Sequence, residues 1–472
     1  MTIRTKVVAT LGPASATRET IRALIGAGCD VFRINFSHGT EAQHRALLEE
    51  VRAAEEEARE PIAVMADLCG PKIRVAPLAG DALDLAWGDR LVIQRERADG
   101  TGKRISTTLP ELVDEVRPGQ AILLDDGRIR LEVDESRAPR EVACRVIVGG
   151  VLRSGKGINL PHTELTVSSL TEKDRADVAW IAGRAIDYVA LSFVRTADDV
   201  RLLRDLLRHH GSDARVVAKV EKPQALEHIE AIVDEADAVM VARGDLGVEM
   251  DLPEVPVAQK RIAALCQAAA KPCIIATQML ESMTTSPTPT RAEVSDVANA
   301  VMDRADAVML SGETAVGSYP VEAVRMMNRI AWTVETHSDD TSSAARVTSA
   351  AEPTVAALAC AVREIVHDLD VAAVCVYTAT GTTARMLSKS RIPRPILALA
   401  PRIETVRRLA LYYGTIAVRA DPPEHTRDVL ALASRLALDL ELAKQGDRIV
   451  VLSGRPIARP GATNTLVVHT IG

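Results

Sequence analysis

The 472-residue chain lacks several things, and each absence closes a route. No apolar run approaches the roughly 18 residues that a membrane-crossing helix needs, so no membrane partner is expected. Positive charge is not in surplus: 57 Lys and Arg face 64 Asp and Glu, and a net charge of -7 exerts no long-range pull on nucleic acid or anionic lipid. Any basic residue that binds phosphate must therefore act locally. The seven cysteines, at 29, 69, 144, 266, 273, 360 and 375, are odd in number and contain no CxxC pair. That argues for reduced thiols in a cytosol and against a disulfide or zinc framework. The N-terminus, MTIRTKVVATLGPAS, runs straight into strand-like sequence with no signal peptide, so a cytoplasmic location is expected. A GxGxxG after the first strand is also missing, which counts against a doubly wound open sheet.

What is present is ordinary for a globular chain: 47% hydrophobic and 26% charged residues, with a length that suggests roughly three domains. From residue 4 a short apolar run followed by an amphipathic segment repeats. KVVATLG precedes a helix candidate at 17–27, VFRINFSH precedes 41–58, and IAVMAD ends at Asp67. The pattern resumes at about 171, with helix candidates at 171–184, 197–209, 223–235, 255–270, 290–302 and 319–335. About eight strand–helix units result, the number that closes a (β/α)8 TIM barrel. The interruption at 71–157 has a different texture. DDGRIRLEV places an Asp126-Gly127 turn between alternating runs, which predicts a β-rich lid inserted after strand 3 and hinged near Pro71 and Asn159-Leu160-Pro161. The barrel is thus assigned 1–70 and 158–340, and the lid 71–157. A polar link, THSDDTSSAARVTSAAEPT, ends the barrel, and 345–472 forms a C-terminal α/β domain.

The chemistry gathers at 215–247. Side chains alternate faces along a strand, so Lys219 and Glu221 in RVVAKVE point the same way. The next apolar run, AVMVA, stops at Arg243-Gly244-Asp245, and an extended Asp at a strand end can share a divalent ion with Glu221. One cation, two carboxylates and a lysine make a phosphate site, because Mg²⁺ takes only one or two protein carboxylates and leaves positions for substrate oxygens. Other strand ends carry Arg33, Asn35, Ser37 and His38, then Asp67, Ser192 with Arg195, Thr277 and Ser311. In a closed parallel barrel these converge on the C-terminal rim. Blander readings stand beside these: Lys219 and Glu221 as a structural ion pair, His38 as a cap on the turn before its helix, Gly70, Gly155, Gly157, Gly244 and Gly247 as turn markers. Ser37 and His38 are no nucleophile–base pair, since strand neighbours face opposite ways. In the last domain, YTATGTTARMLSKSR reads as strand, loop and helix. Thr378, Thr380, Gly381, Thr382 and Thr383 make either an anion site or a plain capped turn.

VFRINFSHG, DLCGPKIR, KGINLP, LSFVR, AKVEK, MVARGDLGVEM, CIIATQMLESM, PTRAEVSDVANAV and LSGETAVGSYP resemble, in order, the motifs of the pyruvate kinases over nearly the whole chain. The resemblance implies transfer of the phosphoryl group of phosphoenolpyruvate to ADP, giving pyruvate and ATP, the last step of glycolysis. It implies Mg²⁺ (or Mn²⁺) on Glu221 and Asp245, and Lys219 steadying the moving group. Substrate would meet Arg33, Gly244, Asp245 and Thr277; nucleotide would meet Arg33, Asn35, His38, Arg74 and Lys156. Lys219, Arg74 and the metal supply positive charge, while Thr277 and Ser311 are placed to relay a proton through water. Asn35, Ser37 and Asp67 resemble the family's potassium ligands. Here the chain departs: many potassium-dependent relatives have Glu at the position of Lys72 and Thr at that of Leu68, and an ammonium at Lys72 would supply the charge that potassium otherwise brings. Activity without added potassium is the expectation. A homotetramer, and a phosphorylated effector such as a sugar phosphate or AMP on the Thr378–Thr383 loop, are also implied. Two rival readings stand beside this one: a Mg²⁺-dependent barrel acting on other pyruvate enolates, and a catalytically silent effector-binding or assembly subunit.

Overall fold

Eight short strands carry the catalytic frame: β1 (Lys6–Thr10), β2 (Val31–Asn35), β3 (Ala63–Asp67), β4 (Tyr188–Leu191), β5 (Arg215–Val220), β6 (Ala238–Ala242), β7 (Cys273–Ala276) and β8 (Ala307–Leu310). Each lies parallel to its neighbours, and β8 pairs back onto β1 to close the ring. In this computed structural model the described residues are 3–337 apart from 162 and 164, and 352–472 apart from 424, 456–460 and 462. The strands read as near-continuous apolar runs because both faces are buried. Val8, Val31, Met65, Val217, Met240 and Met309 fill the barrel interior, while the alternate positions, such as Val7, Phe32, Val64 and Val216, pack against the helices.

Helices follow where sequence-local caps put them. Thr40 with Gln43, Thr171 with Asp174 and Thr290 with Glu293 form reciprocal capping boxes at the starts of Glu41–Ala58, Glu172–Ile181 and Arg291–Met302. The single helix expected at 223–235 is two pieces, Pro223–Glu227 and Ile229–Glu235, parted at His228, whose φ of -114° and ψ of 18° leave the helical region.

The lid departs after β3. Its six-stranded sheet runs in the order Ile158–Asn159, Ala121–Leu124, Ile129–Arg137, Glu141–Val148, Arg90–Gln94, Arg104–Ser106. The Asp126-Gly127 turn joins two of these strands, with Asp125, Asp126 and Gly127 all at positive φ (51°, 54° and 83°). Leu91, Ile122, Leu131 and Val142 form a core separate from the barrel's.

The C-terminal domain is a five-stranded sheet of β9 (Val371–Tyr377), β10 (Ile396–Ala400), β11 (Thr415–Arg419), β12 (Arg448–Gly454) and β13 (Thr463–Thr470), ordered β11-β10-β9-β12-β13 with only β13 antiparallel. It closes the N-terminal mouth of the barrel. Ala410 and Leu411 join the barrel's interior cluster, and the Tyr188 hydroxyl donates to the Arg408 carbonyl at 2.6 Å. Beside that plug, Lys389 Nζ and Arg391 Nη2 lie 2.6 and 3.3 Å from the two oxygens of Asp306, all three residues being buried. Most of the polar link, and with it the boundary placed at 340–345, lies outside the described residues.

Candidate active site

At the opposite, C-terminal mouth, a chain of polar contacts crosses five adjacent strands. Thr10 ends β1 and accepts from Arg33 Nη1 at 3.0 Å; Arg33 Nε lies 2.7 Å from Asp67 Oδ2; Asp67 Oδ1 lies 3.1 Å from Lys219 Nζ. Lys219 donates to Ser192 Oγ at 2.7 Å and stands 2.7 Å from Glu221 Oε1. The Glu221 Oε2 atom accepts the Phe193 amide at 2.8 Å, and Ser192 in turn donates to the Leu68 carbonyl at 2.9 Å. The alternation that buries Val217 puts Lys219 and Glu221 on the same inward register.

Burial by itself would discharge Lys219, but Asp67 and Glu221 outweigh it and hold the ammonium well above its ordinary range. Burial likewise pushes Asp67 up, and Lys219 with Arg33 pull it below the usual carboxylate range. Glu221 goes the other way. Burial is the larger cause, the nearby Asp245 charge adds to it, and Lys219 only partly compensates, so this carboxyl is raised. Two carboxylates that repel each other beside a cationic rim suit a hard divalent cation, whose charge relieves the repulsion. Among the described residues no group of three or more His, Cys, Asp or Glu forms a ready cage, so such an ion would draw its remaining ligands from water and substrate.

Asp245 is not the extended strand-end residue expected from AVMVARGD. It lies exposed in the first turn of a helix, Arg243–Glu249. The helix begins there because Thr277 Oγ1, from the end of the next strand, accepts the Gly244 amide at 2.6 Å while donating to the Ala276 carbonyl at 2.6 Å. A Cβ on residue 244 would meet that hydroxyl at 3.2 Å, which explains the glycine. Thr277 and Gln278 hold φ of 69° and 55°, costly for a β-branched residue and typical of a backbone fixed by its surroundings at a working site. Arg243 locks the turn from outside, through Asp296 at 2.7 Å and the Thr277 carbonyl at 2.9 Å. Ser311 follows β8, its amide donating to Glu313 Oε2 at 2.7 Å, and Glu313 Oε1 accepts from Leu280 at 3.0 Å.

After β2 the chain turns at once, so Ser37 and His38 sit in a turn and not on alternate faces of a strand; the Ser37 amide donates to Asn35 Oδ1 at 3.0 Å. His38 does not cap its helix, since Thr40 does. Its imidazole is pushed down by partial burial and then by Lys72, Arg74 and Arg33, which brings the base of the lid to the barrel rim electrostatically. On the lid itself Arg74 donates to the Gly155 carbonyl at 2.9 Å, and Lys156 pairs with Asp125 at 2.7 Å. Arg195 is drawn away from the rim, onto the Leu165 and Val167 carbonyls and Asp199. Thr10 and Glu313 escaped the sequence reading, although Thr10 obeys the same strand-end rule as the rest. In the C-terminal loop, Gly381 at φ 86° donates its amide to Thr378 Oγ1 at 3.0 Å, Thr380 and Thr382 hydroxyls lie 3.1 Å apart, and Thr383 meets Thr463 at 2.7 Å.

The family model described as "Pyruvate kinase, barrel domain" matches residues 2–324. The chain belongs to the pyruvate kinase family. A second family model, "Pyruvate kinase, alpha/beta domain", matches residues 356–469. A pyruvate kinase of Agrobacterium vitis is 45% identical, covering 99% of this chain and 97% of its own. One from Mycobacterium tuberculosis is 42% identical, covering 100% and 99%. A solved pyruvate kinase structure from Cryptosporidium parvum superimposes with a TM-score of 0.93 at 32% identity, over 100% of this chain and 96% of that one.

Proposed function

We propose that this chain transfers the phosphoryl group of phosphoenolpyruvate to ADP, giving pyruvate and ATP. The observation that carries the reading is the buried Lys219 ammonium, kept charged at the rim of the barrel within 3.1 Å of Asp67 and 2.7 Å of Glu221. Phosphoryl transfer passes through a loose, metaphosphate-like state, so fixed positive charge does most of the work. Lys219 meets the moving group, and Arg33 holds the phosphate of the incoming substrate. The P–O bond to the enol oxygen breaks as one forms to the terminal phosphate of ADP. Gly244 and Thr277 orient the substrate, and the hydroxyls of Thr277 and Ser311 pass a proton through water to the enolate carbon. Glu221 and Asp245 would hold Mg²⁺ or Mn²⁺, which supplies further positive charge to the phosphates when bound.

The nucleotide lies against Arg33, Asn35, His38, Arg74 and Lys156, the last two brought by a lid that excludes water from the phosphoryl group. A neutral His38, favoured by the cations around it, serves as a hydrogen-bonding group there. Potassium is dispensable in this reading: Lys72 supplies the positive charge. The charges of Arg33 and Lys219 beside Asp67, and the engagement of Asn35 Oδ1 by the Ser37 amide, support it. A phosphorylated effector on Thr378, Thr380, Gly381, Thr382 and Thr383, a homotetramer and a cytosolic setting complete the proposal. Seven free cysteines suit the last. One coupled assay tests the core of it, following pyruvate formed from phosphoenolpyruvate and ADP with Mg²⁺. No pyruvate would sink it and favour either another enolate chemistry or a silent paralogue.

A further inference from the structure

Three segments that lie far apart in the chain meet at one buried carboxylate. Glu249 ends the helix Arg243–Glu249, whose first turn carries Gly244 and Asp245. Its Oε1 atom lies 3.1 Å from Lys222 Nζ, one residue past Glu221, and accepts from Asn159 Nδ2 at 2.9 Å. Lys222 and Glu249 are both buried. Asn159 is the last residue of the lid sheet and pairs with Leu123, just before the Asp125 that holds Lys156. A single side chain therefore ties the exit strand of the lid to the helix that presents a candidate metal ligand. The lid rests on that helix a second time, where a Cβ on residue 127 would lie 3.7 Å from Val248 Cγ1.

A buried ion pair seldom adds net stability, because desolvation offsets the attraction; fixing a register is its best-attested use. Lys222 holds the Glu249 carboxylate in one orientation, and Asn159 meets that orientation from the lid. We propose that Glu249 is a positioning residue, the joint that seats the lid on the helix Arg243–Glu249 so that Arg74 and Lys156 arrive over Gly244 and Asp245. Its other oxygen, Oε2, is buried with no partner among the described residues, which gives the Asn159 amide a second acceptor when the lid turns about Leu160-Pro161. This rests on the phosphoryl-transfer reading, in which the cations of the lid serve the nucleotide while barrel residues hold phosphoenolpyruvate. Loosening the joint should weaken one substrate and spare the other.

Steady-state assays with each substrate varied, and calorimetric titration of the full chain with ADP in the presence of Mg²⁺, test the joint. Asn159→Ala should raise KM for ADP and weaken ADP binding, each about tenfold, the loss expected for a hydrogen bond to a charged acceptor, while KM for phosphoenolpyruvate stays within about twofold. Asn159→Asp sets a second carboxylate against Glu249 and should weaken ADP further. Adding Glu249→Gln to it exchanges amide and acid, keeps one negative charge for Lys222, and should return KM for ADP to within about threefold of wild type. A general packing defect would raise both KM values and gain nothing from the exchange. Asn159 is only half-buried and its loss strands no charge, so Asn159→Ala keeps the fold even if Glu249→Gln alone does not. Unchanged ADP values in Asn159→Ala, equal losses for both substrates, or no recovery in the exchanged pair would overturn the proposal. A wild type that binds ADP but forms no pyruvate, with that binding weakened in Asn159→Ala, would sink the reading of function and leave the joint standing. A wild type that binds no ADP would sink both.

Discussion

Lys219 and Glu221 stand two residues apart on β5 with Nζ and Oε1 at 2.7 Å, a contact that a purely structural ion pair and a catalytic lysine would both show. The surroundings separate the two. Asp67 keeps Arg33 when Lys219 is lost, and the raised Glu221 can take up a proton, so a neutral side chain at 219 leaves no stranded charge. Lys219→Met should therefore fold, as read by circular dichroism, while turnover in the coupled assay drops by roughly 10²-fold or more. A near-normal rate would assign the pair to structure alone.

Potassium gives a second test, because Arg33 and Lys219 already put positive charge beside Asp67. In tetramethylammonium buffer the wild-type rate should change little when potassium chloride is added. Lys72→Glu, which removes the exposed ammonium and adds a carboxylate, should create a requirement for the ion. A large stimulation of the wild type would return Asn35, Ser37 and Asp67 to use as an ion site.

Asp306 accepts Lys389, Arg391 and, at 2.7 Å, the Cys273 amide, all at the seam between barrel and C-terminal domain. Asp306→Asn leaves two buried cations without their countercharge. Breaking a buried pair in this way typically costs about 3–5 kcal/mol. Urea denaturation should show the loss, first as separation of the C-terminal domain. An unchanged midpoint would mean that solvent reaches the seam.

Much of this was legible because it is local. The two-residue period of a strand put Lys219 with Glu221, and turn chemistry at Asp126-Gly127 marked the lid. What escaped is non-local. AVMVARGD reads as extended until the Thr277 hydroxyl, 33 residues on, fixes the Gly244 amide and starts a helix. Arg195 follows a strand end like its neighbours, yet carbonyls of the segment returning from the lid draw it off the rim. The gathering of Arg204, Arg215, Lys271 and Arg385 at the seam was invisible because they come from distant segments and only the docking of the two domains collects them.

Lys271 carries the last prediction, a pH dependence. Burial first, and then the neighbouring Arg385, push it down to about 8, below the ordinary lysine value of about 10.4, so the folded chain disfavours its charged form. The stability penalty is complete below pH 8 and fades as pH rises from 8 toward the unfolded value. The urea midpoint should therefore rise more steeply between pH 7 and 9 in the wild type than in Lys271→Met, and equal slopes in the two proteins would show that the ammonium is solvated in the folded chain.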